Sequence, residues 1–281
     1  MFKIYLSRAV SPGIGIHLPA SIEEVKDAYA MLNGTDTIPL ETATAYIVSS
    51  VPNMHPYLYE VPVTKHTLEE LNYLAYRVEW MDWQDEGVFG AAIEMRKPDT
   101  LAEMINLSCN LDKFEYLPGV TTVAKLGKHL IDRNADMVPE KYKAYPDYDQ
   151  IGRQYVKEHG GLLHTNGFIG RNEEELQRIY DGNELPDPDY NQTNIFMVWL
   201  CKEDPYDHYT LALPASKERQ EVLKGAMGIS DWSECEQLLI RCRVPSLQVN
   251  LQQNGSIEEL NELAVNLFCE QESGAAFLLS Q

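Results

Sequence analysis

The stretch TLEELNYLAYRV at residues 67–78 recurs in a close variant, SIEELNELAVNL, at residues 256–267. The tetrapeptide LPAS precedes each of them, at residues 18–21 and again at residues 213–216. A Val-Pro dipeptide lies between the two landmarks in both places. Three landmarks in the same order, at nearly constant spacing, are typical of an internal repeat. The sequence therefore predicts two copies of one small module.

Each copy has the same series of predicted elements. A β-rich apolar run, FKIYLS in the first copy and IFMVWLC in the second, predicts an opening strand. A second strand ends at LPAS, where Ser21 is a suitable N-cap and Glu24 can close a capping box. A third strand, TAYIVS or QLLIRCR, comes before the Leu-rich helix. The Leu-rich helices are predicted to begin at boxes of the same kind, Thr67 with Glu70 and Ser256 with Glu259.

The residues between the copies predict a mostly helical module that ends in a hairpin. Thr100 and Glu103 form a further capping box, and VAKLGKHLID and DYDQIGRQYVKEHGG have helical spacing. LLHTNGFIG contains the Asn-Gly pair of a tight hairpin. Residues 181–194 are polar and aperiodic, which predicts a linker. The predicted fold class is thus α+β, with a sheet-and-helix module at 1–78, the helical module at 79–180, the linker, and the second copy at 195–281.

Composition restricts the function. The chain has 281 residues, of which 44% are hydrophobic, with 23 Lys plus Arg against 43 Asp plus Glu, for a net charge of −20. Such a charge repels nucleic acid and anionic membranes and attracts basic protein surfaces. The five cysteines lie in apolar stretches without metal-site spacing, and no signal peptide or membrane-length apolar run is present. We therefore expect a soluble, cytoplasmic protein.

Motifs of catalysis are not found in the sequence. It contains no P-loop, no dinucleotide-binding glycine pattern, no nucleophile elbow and no zinc-protease helix. His159 and His164 flank two glycines, but no Cys or carboxylate stands at a ligand spacing beside them. Adjacent carboxylates such as Glu69 and Glu70 fall in a predicted capping box. These observations favour a protein that is no enzyme and uses neither a metal nor a cofactor.

One segment resembles a known family. Residues 145–171, YPDYDQIGRQYVKEHGGLLHTNGFIGR, are similar to the C-terminal signature of ArdA-type antirestriction proteins. LEELNYLA and FEYLPGV also resemble stretches of that family, so the similarity covers roughly residues 1–170. Residues 195–281 look like an additional N-terminal module. The positions that match the signature are Asp147, Tyr148, Gly152, Arg153, Gly160, Gly161, Gly167 and Phe168.

The resemblance implies a mechanism and a partner. Proteins of this family imitate the charge pattern of bent B-form DNA and occupy the DNA-binding groove of type I restriction–modification enzymes, without a cofactor. The resemblance thus implies such an enzyme as the partner, and no binding of nucleic acid or membrane. It also implies a homodimer joined through the C-terminal region. The candidates for that dimer region are Tyr148, Gly152, Arg153 and Phe168.

Acidic residues would then take the place of phosphates. Twenty charges, at about 1.7 Å of DNA axis each, correspond to roughly ten base pairs of duplex. A second hypothesis stays open, in which the chain is an acidic interaction or scaffold module of a mobile element without DNA mimicry. The candidates for the mimicking surface are Glu69, Glu70, Glu79, Asp82, Asp85, Glu86, Glu94, Asp99, Glu103, Asp112 and Glu115.

Overall fold

The chain folds into two compact units. The computed structural model describes residues 2–8, 11–33, 43–49, 60–133, 146–171, 175–204, 207–244, 247 and 256–279. One unit comprises Met1–Glu79 and Gln84–Pro188, and the other Trp80–Trp83 and Asp189–Gln281. The described residues form α-helices and three antiparallel sheets, so the predicted α+β class is confirmed. The compact units divide the chain differently from the predicted boundaries at residues 78, 180 and 194.

The elements up to residue 171 are β1 (Phe2–Arg8), β2 (Ser11–Leu18), α1 (Ile22–Asn33), β3 (Ala43–Ser49), β4 (Glu60–Pro62), α2 (Lys65–Glu79), α3 (Trp83–Arg96), α4 (Leu101–Ser108), a 3-10 turn (Leu111–Lys113), β5 (Phe114–Pro118), α5 (Val123–Arg133), α6 (Tyr148–His159), β6 (Leu162–His164) and β7 (Gly167–Arg171). The later elements are β8 (Phe196–Cys201), β9 (His208–Leu213), α7 (Lys217–Met227), a 3-10 turn (Trp232–Glu234), β10 (Glu236–Cys242) and α8 (Ile257–Leu279).

The two predicted copies have the same strand order. The first sheet runs β2-β1-β3-β4 and the second β9-β8-β10, so the opening strand is flanked by the same two neighbours in each copy. The register also agrees, since Phe2 pairs with Leu18 and Phe196 pairs with Leu213. The Leu-Pro bond of each LPAS is cis. The Val-Pro landmarks lie partly outside the described residues, but the strand order confirms the repeat.

A polar contact joins the two landmarks in both copies. Asn72 of the first Leu-rich helix accepts the Ala20 N–H at 2.7 Å, and Asn261 of the second accepts the Ala215 N–H at 2.7 Å. LPAS is therefore tied to the Leu-rich helix in the same way twice. This bond satisfies a backbone donor at the turn between strand and helix.

Three of the predicted helix starts are observed. Ser21 and Glu24 exchange hydrogen bonds of 2.8 and 3.2 Å. Ser256 exchanges bonds of 3.2 and 3.3 Å with Glu259. Thr100 accepts the N–H of the residue three positions on, Glu103, at 3.2 Å. In each case a side-chain oxygen satisfies an N–H that the first helical turn leaves without a partner.

The capping box predicted for Thr67 and Glu70 is wrong, because the helix starts three residues earlier. Helix α2 begins at Lys65, and the reciprocal bonds join Thr64 to Thr67, at 2.8 and 3.0 Å. Thr64, a second threonine three residues upstream, caps the helix in place of Thr67. Glu70 consequently falls inside the helix and points into the protein.

The third sheet is built by the predicted hairpin. Its order is β5-β7-β6, with β6 and β7 joined through residues 165–166. Beneath it α5 and α6 cross very closely at Gly127 and Gly152. A methyl group on Gly127 would lie 1.9 Å from the Tyr148 carbonyl oxygen, and one on Gly152 would lie 2.0 Å from that of Val123. Only glycine permits this approach of the two helix backbones.

The sequence pattern suggests a helix running through Trp80 and Trp83, but the helix is interrupted there. Helix α2 ends at Glu79 and α3 begins at Trp83. Trp80, Met81 and Asp82 are all buried. Residues 80–83 belong to the same compact unit as residues 189–281.

The first part of the predicted linker, residues 181–188, is bound by side chains of α2. Residues 175–188, which we call the strap, run over α2 and α4 without regular secondary structure. Asn110 pairs with both main-chain groups of Gln177, at 2.8 and 2.9 Å. Tyr73 donates to the Asp187 carbonyl at 3.2 Å. The strap therefore extends the first unit into the region where the polar composition predicted a free connection.

Candidate functional site

Two of the predicted acidic surface residues are buried. Glu70 is 6% exposed and accepts the Tyr180 hydroxyl at 2.8 Å. Burial and this carboxylate together raise the pKa of Tyr180. Asp82 is 1% exposed and forms an ion pair with Arg219. Neither carboxylate can face a partner protein, so their assignment to the surface is corrected.

Four other candidates lie beside basic side chains, three of them Lys or Arg and one a histidine. Glu69 is 3.6 Å from Lys65, Glu94 is 3.7 Å from His164, Asp112 is 3.0 Å from Lys113 and Glu115 is 2.8 Å from Arg133. All four pairs are at least partly exposed, and such pairs contribute little to stability. The Lys and Arg side chains beside Glu69, Asp112 and Glu115 do reduce the local negative potential.

The remaining candidates differ in exposure. Asp99 and Glu103 are exposed at the start of α4, where Glu103 accepts the Asp99 N–H at 2.8 Å. Glu79, Asp85 and Glu86 are half-buried and take part in further interactions. The helical stretch therefore presents fewer uncompensated carboxylates than its sequence suggests.

The dimer-region candidates divide in the same way. Gly152 is buried at the crossing of α5 and α6, and Phe168 is fully buried in the small core with Val120 and Leu126. Both are used inside the unit, so they are not available to a second chain. Tyr148 is half-buried, and Arg153 is exposed with its guanidinium 3.4 Å from Asp149.

The two histidines singled out in the sequence go to different partners. His159 stacks on Tyr155 with ring centroids 4.5 Å apart, whereas His164 lies beside Glu94. Within the described residues, no group of three or more His, Cys, Asp or Glu side chains could hold a metal ion. None of the described helices has the length and apolar character to cross a membrane.

A group of carboxylates in the second unit lies outside the predicted set. The turn after β8 carries Glu203, Asp204 and Asp207, all exposed, and Glu236 pairs across the sheet with Cys201 at the same end. We call these four carboxylates the turn set. Burial chiefly raises the pKa of the Cys201 thiol, and the carboxylates of Glu236, Asp204 and Asp207 raise it further. The sequence signal was KEDPYD, three acids within five residues between two strands.

The neighbouring 3-10 turn adds two well-fixed carboxylates. Asp231 accepts the Ser233 N–H at 3.0 Å, and Glu234 accepts the Ser230 N–H at 2.9 Å. Hydrogen bonds from Ser233 and Ser230 lower the pKa of Asp231 and of Glu234, respectively. Both carboxylates are therefore held in the ionised form, in defined positions.

A scan against protein-family models and a search of curated proteins each find no match for this chain. The resemblance to ArdA-type proteins, the type I enzyme as partner and the absence of catalysis therefore stay predictions.

Proposed function

We propose that this chain is an acidic DNA mimic that occupies the DNA-binding groove of a type I restriction–modification enzyme. The charge distribution supports the proposal most directly. Among the acidic residues whose exposure the structure describes, Glu70 and Asp82 are buried and the others are at least partly exposed. A protein that keeps its negative charge at the surface can meet the Lys and Arg side chains that contact phosphates.

The second unit carries a local group of exposed carboxylates. Residues 189–281 contain 14 acidic residues against 6 basic ones. The turn set concentrates four of these acids at one end of the second sheet. We therefore assign the turn set, in addition to the exposed candidates of the helical stretch, to the contact with the enzyme. The chain acts by occupancy, with no cofactor and no reaction of its own.

The interaction-module hypothesis is supported by a different observation. Exposed carboxylates also lie on helices of both copies, as with Glu23 and Asp27 of α1 and Glu258 and Glu262 of α8. A scaffold would have acids on several faces, whereas a mimic needs them concentrated where the enzyme binds phosphates. The two hypotheses thus differ in whether the position of a carboxylate matters.

A competition assay tests both hypotheses. The protein is titrated into type I enzymes bound to labelled duplex, and DNA release is followed at two salt concentrations. We expect displacement that weakens with salt, but less steeply than for DNA, because the protein condenses fewer counterions than a duplex. Failure to displace DNA from any enzyme of a panel at low salt would contradict the mimic and favour the interaction module.

Matched variants locate the contact. One variant neutralises the turn set with Glu203→Gln, Asp204→Asn, Asp207→Asn and Glu236→Gln. The control neutralises four acids elsewhere with Glu23→Gln, Asp27→Asn, Glu258→Gln and Glu262→Gln, for the same change of charge. At about 0.2–1 kcal/mol for each surface charge, the turn-set variant should compete at least about fourfold less well. Equal losses in both variants would mean that net charge alone, without a specific surface, drives displacement.

A further inference from the structure

Residues 80–83 form a short segment with one deeply buried charge. The Asp82 carboxylate accepts the N–H of Ala212 at 3.1 Å and the Nε–H of Arg219 at 3.0 Å, and a second Arg219 N–H completes a forked pair. Ala212 lies on β9, at the edge of the second sheet. The carboxylate thus supplies both an acceptor for an edge-strand N–H and a counter-charge for the arginine.

The aromatic residues of the segment are bound by neighbouring groups of the same unit. The Trp80 carbonyl accepts the Asn194 side-chain N–H at 2.7 Å, and the Arg243 guanidinium lies 4.2 Å from the centre of the Trp80 ring. Trp83 meets Tyr209 edge to face, with ring centroids 5.3 Å apart. We call Asn194, Tyr209, the Ala212 N–H, Arg219 and Arg243 the receptor surface.

The first copy has the opposite charge at the decisive position. Counted from the serine of LPAS, Arg219 stands three residues after Ser216, as Glu24 stands three residues after Ser21. Both residues donate their backbone N–H to that serine, at 3.2 Å in each copy. The side chains have different partners, because the Glu24 carboxylate accepts the Ser21 N–H whereas the Arg219 guanidinium donates to Asp82. A buried aspartate beside Glu24 would meet a like charge.

We propose that the second copy of the module is a receptor for an acidic, aromatic segment, that its ligand is residues 80–83 of the same chain, and that Arg219 against Glu24 decides which copy can bind it. The bound segment must bury a carboxylate, and a buried charge is strongly unfavourable without a hydrogen-bonded partner. Arginine at this position provides that partner, and glutamate excludes the segment.

The two equivalent positions provide the test and its control. In the full chain, Arg219→Glu gives the second copy the residue of the first, and Glu24→Arg makes the reverse change. The readout is hydrogen exchange of the Ala212 amide, which Asp82 accepts. We expect exchange at least about tenfold faster in Arg219→Glu and within about twofold of wild type in Glu24→Arg. Unchanged exchange in Arg219→Glu, or equal acceleration in both variants, would overturn the proposal.

Reversing both charges of the Asp82–Arg219 pair distinguishes charge recognition from a general loss of packing. All four tryptophans, at positions 80, 83, 199 and 232, belong to the second unit, so acrylamide quenching of tryptophan emission follows exposure there. Arg219→Glu should increase quenching, and adding Asp82→Arg should return it toward the wild-type value by pairing the charges again. If Arg219→Glu fails to fold, recovery of folding in the double variant supports the proposal. Failure of the double variant to recover either quenching or folding would contradict it.

Discussion

The two copies share their inner face and differ on their outer face. In β1 burial alternates, with Phe2, Ile4 and Leu6 buried and Lys3 and Tyr5 exposed. In β8 Met197, which corresponds to Lys3, is fully buried, as are its neighbours on both sides. The sequences FKIYLS and FMVWLC already predict this difference. An alternation of apolar and polar residues is typical of a strand with one face in water, and a continuous apolar run is typical of a strand covered on both faces. One strand order therefore tolerates two different environments for its outer face.

The comparison also separates the contacts that define the module from those that adapt it. The bond from LPAS to the Leu-rich helix is the same in both copies, to 0.1 Å or better for Asn72 and Asn261. The position that follows LPAS by three residues has changed from a self-contained cap to an ion pair. The hydrogen bond that satisfies the main-chain N–H in LPAS is thus common to both copies, whereas the side chain three positions after the serine has a different partner in each.

The largest expected effect comes from exchanging the equivalent outer-face residues, Lys3 and Met197, between the two copies. Met197→Lys would place a charge in a fully buried position, and we expect a loss of about 3–5 kcal/mol in the free energy of unfolding of the second unit. Lys3→Met changes an exposed residue of the first unit and should alter stability by less than about 0.5 kcal/mol. Urea denaturation followed by tryptophan fluorescence and by circular dichroism measures both. A mild effect of Met197→Lys would show that the outer face of β8 is accessible to water after all.

The shared inner face predicts equal costs in the two copies. Leu18 and Leu213 are buried at equivalent places, so Leu18→Ala and Leu213→Ala should each cost about 2–5 kcal/mol. Tryptophan fluorescence should detect the second change directly, because every tryptophan lies in the second unit. Costs that differ by more than about 2 kcal/mol would mean that the two cores are packed differently despite the common strand order.

Smaller losses should follow from removing the shared asparagine. Asn72→Ala and Asn261→Ala leave the N–H of Ala20 or Ala215 without its acceptor, which costs about 1–3 kcal/mol in a buried setting. Asn72 also donates to the Ala20 carbonyl at 3.1 Å, so the loss should be larger in the first copy. Denaturant midpoints of the two variants provide the comparison. A larger loss for Asn261→Ala would contradict the assignment of a second bond to Asn72.

Local patterns were sufficient for the repeated modules, but long-range contacts were not accessible from sequence. LPAS, the Leu-rich helices and three capping boxes identified the elements, because each depends on residues within a few positions of one another. The burial of Asp82 depends on Arg219, 137 positions away, and that of Glu70 on Tyr180, 110 positions away. Their acidic neighbours made both look like surface residues. Residues 181–188 have the composition of a linker because their contacts come from side chains of α2 and leave no periodicity in their own sequence.

The smallest expected effect is a pH dependence of the stability that the cap of α1 contributes, which the equivalent cap in the second copy should lack. Hydrogen bonds from Ser21 lower the pKa of Glu24, so its ionised form is favoured by folding. A carboxyl with a lowered pKa stabilises the folded state above its unfolded pKa of about 4.3, and this contribution is lost as pH falls through the folded value. Glu24→Gln should therefore melt below wild type at pH 7, and the two Tm values, measured by circular dichroism, should converge near pH 3.

Arg219 stays charged throughout this range, and the tryptophan-detected transition of the second unit should be the same in both proteins at every pH. A Tm difference that persists unchanged at pH 3 would show that the glutamate acts through its shape and not through its charge.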